Sequence, residues 1–331
     1  MTLGEQKTKI ENVPSLVGIA RLAAQSPTLE AKRSVEYLEL PTRRYLSRCN
    51  SPRMPFRWMI NPYRGCEFGC KYCYARYTHE FMELREPADF ERKIFVKHFD
   101  SAAFRSELRG LPRGETIAIG TATDPYQPAE RRFRLTRSML EALTDTAGYR
   151  IGLVTKSDLV VRDIHLFQEI ARRHYLTLVI TITTLDRDLA RLMEPLAPRH
   201  DLRLAAVRKL SAAGLRVSVN LAPILPLIND SDSSLDAVAK AAARAGAVKL
   251  GGNVVYLKPC AQNAFFPFLS EHFPSLLRRY RERFERSAFL RGSYPDTIRQ
   301  RLDRIRLRYG LHTQDLETEP ELWDPQLTLF S

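Results

Sequence analysis

The chain has 331 residues, 44% hydrophobic and 27% charged, which suffices for a sizeable buried core and excludes a wholly disordered protein. Fifty-one Lys and Arg against 38 Asp and Glu leave a formal charge of +13, a balance that favours polyanionic over cationic partners. No run approaches the roughly eighteen apolar residues of a membrane span, and no signal peptide is evident, so a cytoplasmic, reducing location is expected.

In chain order, residues 1–42 read as a polar, mobile leader in which 13–24 can form one short helix. Residues 43–57 carry Pro52 and Pro55 and read as an irregular approach, with Cys49 as a free thiol. From Trp58 onward strands and helices alternate. Strands are expected over 58–61, 116–122, 150–155, 176–184, 215–222 and 248–257. Helices are expected over 72–84, 136–147, 161–173, 186–194 and 199–213, and from a cap at Ser231 or Asp232 to Ala245. Six strand-then-helix units imply an α/β fold with a parallel sheet and right-handed crossovers. Beyond it, Leu276, Leu277, Tyr280, Phe284 and Ala288 recur at helical spacing, so residues 274–312 read as a docked helical extension. Residues 313–331 read as an acidic tether and a short tail.

Residues 61–75 hold three of the five cysteines, Cys66, Cys70 and Cys73, spaced C-x3-C-x2-C. Three thiolates on one short loop can wrap a metal centre. A closed zinc site wants four protein ligands, with His79 the nearest candidate to join. A 4Fe-4S cluster on three cysteines keeps one iron open for another ligand. A disulfide is a poor reading of an odd count packed into one tight loop.

The spacing, with Tyr72 at the aromatic position of C-x3-C-x-aromatic-C, resembles the radical S-adenosylmethionine (SAM) superfamily. Asn-Pro-Tyr-Arg-Gly-Cys before the cluster, and Cys-Tyr-Ala-Arg after it, resemble the branch containing the spore photoproduct lyases. The resemblance extends from about residue 35 to about residue 273. It implies a partial (β/α)6 TIM-like barrel over residues 43–273, a 4Fe-4S cluster on Cys66, Cys70 and Cys73, and SAM on the open iron. One electron would cleave SAM to methionine and a 5′-deoxyadenosyl radical, which takes a hydrogen atom from substrate.

In such folds reacting groups sit on loops after the strand C-termini. The resemblance puts Tyr72 near the adenine, and Thr121, Thr123 and Asp124 along the methionine end of SAM; an ordinary Asp-Pro turn is the other reading. Lys156, with Ser157 beside it, would pair with the SAM carboxylate or stand as a lone surface lysine. Thr183, Thr184 and Asn220 would reach the ribose or methionine, and Tyr63 and Arg64 would shield the cluster. The photoproduct lyases return a hydrogen atom from a cysteine near the second strand tip, where this chain has none. Tyr126 and Cys260 are the candidate replacements, although a small buried hydrophobe is the plainer role for Cys260. A different substrate within the same reaction class is therefore expected.

From Arg278 to Arg308 there are eleven arginines against four acids, a surface suited to nucleic acid, DNA before RNA, or merely a solvated helix face. Gln326-Leu-Thr-Leu-Phe330 resembles the peptide by which bacterial replication and repair proteins dock on the β sliding clamp. The leading expectation is a radical SAM enzyme acting on damaged or modified DNA, fed by an electron donor. The alternatives are radical SAM modification of RNA or protein, and a non-catalytic, metal-stabilised scaffold that binds DNA and the clamp.

Overall fold

The structure is a computed structural model, and it describes residues 16–312 except residue 33. The described strands are β1 (Thr28–Lys32), β2 (Val35–Leu40), β3 (Leu46–Arg48), β4 (Trp58–Ile60), β5 (Tyr63–Arg64), β6 (Lys93–Lys97), β7 (Thr116–Ile119), β8 (Arg150–Thr155), β9 (Tyr175–Thr181), β10 (Val217–Ile224) and β11 (Lys249–Val254). The larger sheet has the order β11-β10-β9-β8-β7-β4-β3. Every pairing from β4 to β11 is parallel, and β3 is an antiparallel edge. The six parallel strands therefore lie side by side in chain order, as the strand–helix rhythm of the sequence predicts, and the sheet is open between β3 and β11.

Parallel neighbours need long crossovers. Helices Leu135–Leu143, Ile164–Arg173, His200–Ala212 and Asp232–Arg244 supply them between successive strands from β7 to β11. The last shows how sequence dictates the element. Ser231 accepts a hydrogen bond from the Ser234 amide at 3.2 Å as its N-cap, and Leu235, Val238, Ala239 and Ala242 form one buried stripe. These stripes pack on Ile117, Ile119, Leu153, Leu178, Ile180, Val217 and Val219 of the strands, all buried in one core. Each fully buried Leu or Ile contributes about 1.5–3 kcal/mol.

A second sheet, β1-β2-β6-β5, corrects the expectation of a mobile leader through residue 42. Tyr37, Leu38 and Leu40 of β2 are buried, and Leu38 and Leu40 pack with Phe95 and Met82. β2 pairs in parallel with β6, more than fifty residues away. Helix Gly18–Ala24 lies within the segment that was expected to form one.

The C-terminal helices Pro259–His272, Pro274–Phe284 and Tyr294–Tyr309 dock on the β10–β11 end. The Tyr280 hydroxyl donates to Pro226 O at 2.8 Å, and that of Tyr294 to Asp230 Oδ2 at 2.7 Å. Gly252 of β11 makes room for Leu302, because a Cβ there would lie 2.7 Å from Leu302 Cδ1. Six of the eleven arginines between 278 and 308 are ion-paired: Arg278, Arg286, Arg299, Arg301, Arg306 and Arg308, with Glu282, Glu285, Asp296, Asp232, Asp303 and Asp236. The net-basic stretch read from the sequence is thus partly neutralised within the molecule. Among the described residues no helix is long and apolar enough to cross a membrane. The tether and Gln326–Phe330 lie outside the described residues.

Candidate active site

The cysteine loop follows β4 and is clamped from three sides. Its first leg is β5, whose Arg64 and Tyr63 pair with Phe95 and Val96 of β6. Gly65 has φ +83°, and a Cβ there would meet Lys93 O at 2.8 Å and Phe90 O at 2.9 Å. Only glycine permits both the left-handed turn and this approach. The Cys66 amide then donates to Phe90 O at 2.9 Å. On the far leg the Lys71 amide donates to Met193 O at 2.9 Å, and the Leu196 amide donates to Phe68 O at 3.2 Å. Arg76, buried and ion-paired with Glu91, donates to Cys70 O at 3.1 Å.

The third clamp comes from the segment after β7. Thr123 Oγ1 donates to Gly65 O at 2.6 Å, and Gln127 Nε2 donates to the same oxygen at 3.1 Å. Gln127 Oε1 accepts from the Glu67 amide at 3.1 Å, and Glu67 accepts from Ala129 N and from the Tyr37 hydroxyl. Asn61 accepts from Ala122 N at 2.8 Å and donates to Thr121 Oγ1 at 3.3 Å.

All five cysteines are free thiols; Cys70 is buried, and Cys66 and Cys73 are half-buried. Burial raises the pKa of each loop thiol, with Cys66 well above its ordinary value and Cys70 pushed up to about 12. Nearby carboxylates add to the rise, Asp124 at Cys66, Glu194 at Cys70 and Glu91 at Cys73, with neighbouring loop thiols adding at Cys66 and Cys70, while Lys156 opposes it at Cys70 and Cys73. A bound cationic centre reverses this balance and deprotonates its thiol ligands.

Among the described residues no three Cys, His, Asp or Glu side chains converge as on a single ion. The donors that this loop offers are three thiols, Cys66, Cys70 and Cys73, and a polynuclear cluster that binds each thiolate to a different iron is compatible with such a set. His79 takes no part. Its Nε2 bonds Lys93 O at 3.0 Å, its ring packs on Phe90 and Phe95, and burial lowers its pKa to about 4.

Tyr72 is buried, and its hydroxyl reaches both Thr183 Oγ1, at 3.3 Å, and Glu194 Oε1. Thr183 donates to the same carboxylate oxygen at 2.6 Å, and Arg203 holds the other at 2.6 Å. Burial pushes the Glu194 pKa up, but Arg203 and Lys156 outweigh it and hold the carboxyl at about 2. The Lys156 ammonium sits 5.7 Å from the centre of the Tyr72 ring. Burial lowers its pKa, and Cys70 and Glu194 more than restore it, so it stays charged.

Asp124 ties the tips of β7 and β8 together. Its Oδ1 accepts from Thr155 Oγ1 at 2.6 Å and from Tyr126 N at 2.9 Å, and Oδ2 accepts from Lys156 N at 2.7 Å. Ser157 caps the following turn by accepting from Leu159 N. Asn220 on β10 lies in register with Thr181 and Gly251.

Tyr72, Lys156, Thr183 and Asp124 are thus linked around the cysteine loop, while Thr121 and Thr123 brace it. Two candidates fall elsewhere. Tyr126 is 1% exposed and its hydroxyl donates to Asp163 Oδ2 at 2.9 Å, so it is committed to a buried carboxylate. Cys260 is buried near the start of helix Pro259–His272, where burial raises its thiol and Glu80 adds to the rise. Sequence reasoning missed Glu194, Arg203, Glu67 and Gln127. It also passed over Tyr74, whose hydroxyl donates to Thr121 O.

An open, in-order parallel sheet with three clamped cysteines after its first parallel strand defines the class. The Radical SAM superfamily matches residues 60–239, and the chain belongs to that superfamily. An uncharacterized protein of Mycobacterium tuberculosis is 36% identical over 286 residues, 85% of this chain and 84% of the relative. An uncharacterized protein of Methanocaldococcus jannaschii is 28% identical over 174 residues, 53% of this chain and 62% of the relative. Among solved structures, a spore photoproduct lyase mutant with bound AdoMet and dinucleoside spore photoproduct superposes with a TM-score of 0.60. It is 16% identical and covers 91% of this chain and 85% of its own, a likeness of fold.

Proposed function

We propose that this protein is a radical SAM enzyme that acts on damaged or modified DNA, with a 4Fe-4S cluster on Cys66, Cys70 and Cys73. The observation that carries the reading is Lys156, a cation held charged beside Tyr72 and Cys70 with no ion pair among the described residues. Glu194 and Asp124 keep this half-buried ammonium charged without a direct ion pair, so its donors are free for a further anion, and the carboxylate of SAM would supply one.

Held by Cys66, Cys70 and Cys73, a cluster would supply, from a low-potential one-electron donor, the electron that splits SAM into methionine and the 5′-deoxyadenosyl radical. The residues do the rest. Tyr72 offers the adenine a wall fixed by Glu194 and Thr183, Lys156 orients the carboxylate, and Asp124 sets the height of Lys156 through its amide. The strand tips from β4 to β11 would then face a common mouth if the sheet curves as a partial (β/α)6 barrel. The net charge of +13 supports a polyanionic substrate, and the photoproduct lyase fold supports a DNA lesion. Gln326–Phe330 would carry the enzyme to the β clamp, in a reducing cytoplasm.

Anaerobic reconstitution tests the reading. About four irons per chain, and 5′-deoxyadenosine released on reduction with SAM, are expected; zinc alone, or no SAM cleavage, would sink it. Lesion-bearing DNA should raise turnover where RNA and peptides do not. Lys156→Ala should weaken SAM binding by about tenfold or more, the loss of one charged contact.

A further inference from the structure

Aromatic rings and cations alternate along a surface strip that begins at the cysteine loop. The Tyr74 ring, next to Cys73, lies 6.2 Å from that of Tyr256, and Tyr256 lies 4.4 Å from Phe289 at a 33° tilt. The Arg53 guanidinium stands 4.2 Å over Phe289. To the other side, the Lys258 ammonium stands 4.0 Å over Tyr77, whose neighbours include Arg64 and Phe81. Four distant chain segments build the strip, joined by the Tyr256–Phe289 bridge and by Leu257 N donating to Ala288 O at 3.0 Å.

Phe289 is 43% exposed, Tyr74 40% and Phe81 60%, and Tyr256 and Tyr77, which link to them, are half-buried, so ring surface is open along the strip. Among the described residues Arg53, Arg64 and Lys258 have no ion pair, and Arg64 Nε is buried without a hydrogen-bond partner. Glu80, beside Cys260, is one acid close to the strip. The extension between Arg278 and Arg308 contrasts with this, since six of its arginines are already ion-paired.

We propose that this strip binds an unpaired stretch of DNA, with bases stacked on Tyr256, Phe289 and Tyr77 and phosphates held by Arg53, Arg64 and Lys258. The assignment rests on the DNA reading above and adds where the strand lies. Every base presents a π-face, so stacking holds single strands without regard to sequence, and interleaved cations follow the backbone. A base inside a duplex cannot reach a ring or the cluster mouth, so the strip suits a strand that is open or locally extruded.

The test is fluorescence anisotropy of a labelled single-stranded DNA oligonucleotide with the full-length protein, repeated across a salt series. Tyr256→Ala combined with Phe289→Ala should weaken binding by about tenfold or more, and Tyr256→Phe should retain it because the ring remains. Arg53→Ala and Lys258→Ala should each lower the log–log salt slope by about 0.7, the single-strand value per phosphate contact. Thermal melts of every variant establish that the fold persists. Folded ring variants that bind like the wild type would overturn the strip alone, as would a loss of binding confined to Arg299→Glu and Arg304→Glu on helix Tyr294–Tyr309. A wild-type protein that ignores DNA, or prefers RNA of the same sequence, would overturn the DNA reading together with the strip.

Discussion

The hydroxyl of Tyr72 donates to Oε1 of Glu194, a residue 122 positions further along the chain. That contact ties the aromatic residue of the cysteine loop to the segment after β9, and Arg203 closes it with a 2.6 Å ion pair whose side chains are 3% and 1% exposed. The Arg203 guanidinium also donates to Pro198 O and Thr181 O, so all three nitrogens are used. The position of the Tyr72 ring therefore depends on a buried charge pair rather than on apolar packing alone.

Removing one partner of such a pair strands the other charge in a site that water does not reach. Glu194→Ala should cost about 3–5 kcal/mol of stability, read as a lower urea midpoint. A double variant, Glu194→Leu with Arg203→Leu, should recover much of that loss, since neither charge is then left alone. A Glu194→Ala protein within about 1 kcal/mol of wild type would show that the pair does not hold the loop.

Gly120 occupies a position that no other residue fits. Its φ is +85°, and a Cβ would lie 2.5 Å from Pro125 Cδ and 2.6 Å from Val154 O. Gly120→Ala should destabilise the protein by more than the roughly 1 kcal/mol of left-handed strain alone, because backbone must also move. The displaced segment carries Thr121, Thr123 and Asp124, so iron retention after reconstitution should fall together with the melting temperature. Unchanged melting would contradict the close approach.

The sequence made some of this legible and hid the rest for identifiable reasons. β8 and β9 read as strands because Ile151, Leu153, Leu178 and Ile180 recur in short apolar runs bounded by turns, and the three cysteines announce themselves by spacing. β2 was hidden because its pairing with β6 spans more than fifty residues, and no local period records a partner at that distance. Glu194 and Arg203 look like ordinary surface residues, and only burial reveals them as a pair. Tyr126 sits where a hydrogen relay was expected, yet the direction of its hydroxyl toward Asp163 follows from packing that no motif encodes. The arginines from 278 onward count as charge in a sequence, whereas two of the acids that pair with them, Asp232 and Asp236, lie outside that stretch.

His79 makes stability depend on pH in a defined window. Its folded pKa is about 4, below the ordinary 6.5, because burial disfavours the imidazolium. The unfolded chain therefore takes up the proton first. The contribution is fully present above pH 6.5 and is lost as pH falls through 6.5 toward 4. At pH 5 this residue alone should remove about 2 kcal/mol relative to pH 8. His174 is lowered in the same sense, so a variant is needed to separate the two. Urea unfolding of wild type and His79→Gln at both pH values provides it. The stability gap between them should narrow by about 2 kcal/mol at pH 5, and a constant gap would show that His79 is not held neutral.

Asp124 offers the most direct way to move Lys156 without touching it. Each carboxylate oxygen faces donors only, namely Thr155 Oγ1 and Tyr126 N on one side and Lys156 N on the other. In Asp124→Asn an amide nitrogen must replace one of these oxygens, so a donor meets a donor whichever way the side chain is turned. The cost should be about 1–3 kcal/mol. Thr155→Val removes one donor and leaves the carboxylate two others, so its cost should be smaller. If the role of Asp124 is to fix the Lys156 backbone, SAM affinity should fall in the same order, Asp124→Asn before Thr155→Val. Isothermal titration of the reconstituted proteins with SAM, set beside their urea midpoints, checks both orders. Equal SAM affinity in wild type and a well-folded Asp124→Asn protein would detach Asp124 from the cofactor and leave it as a turn-former alone.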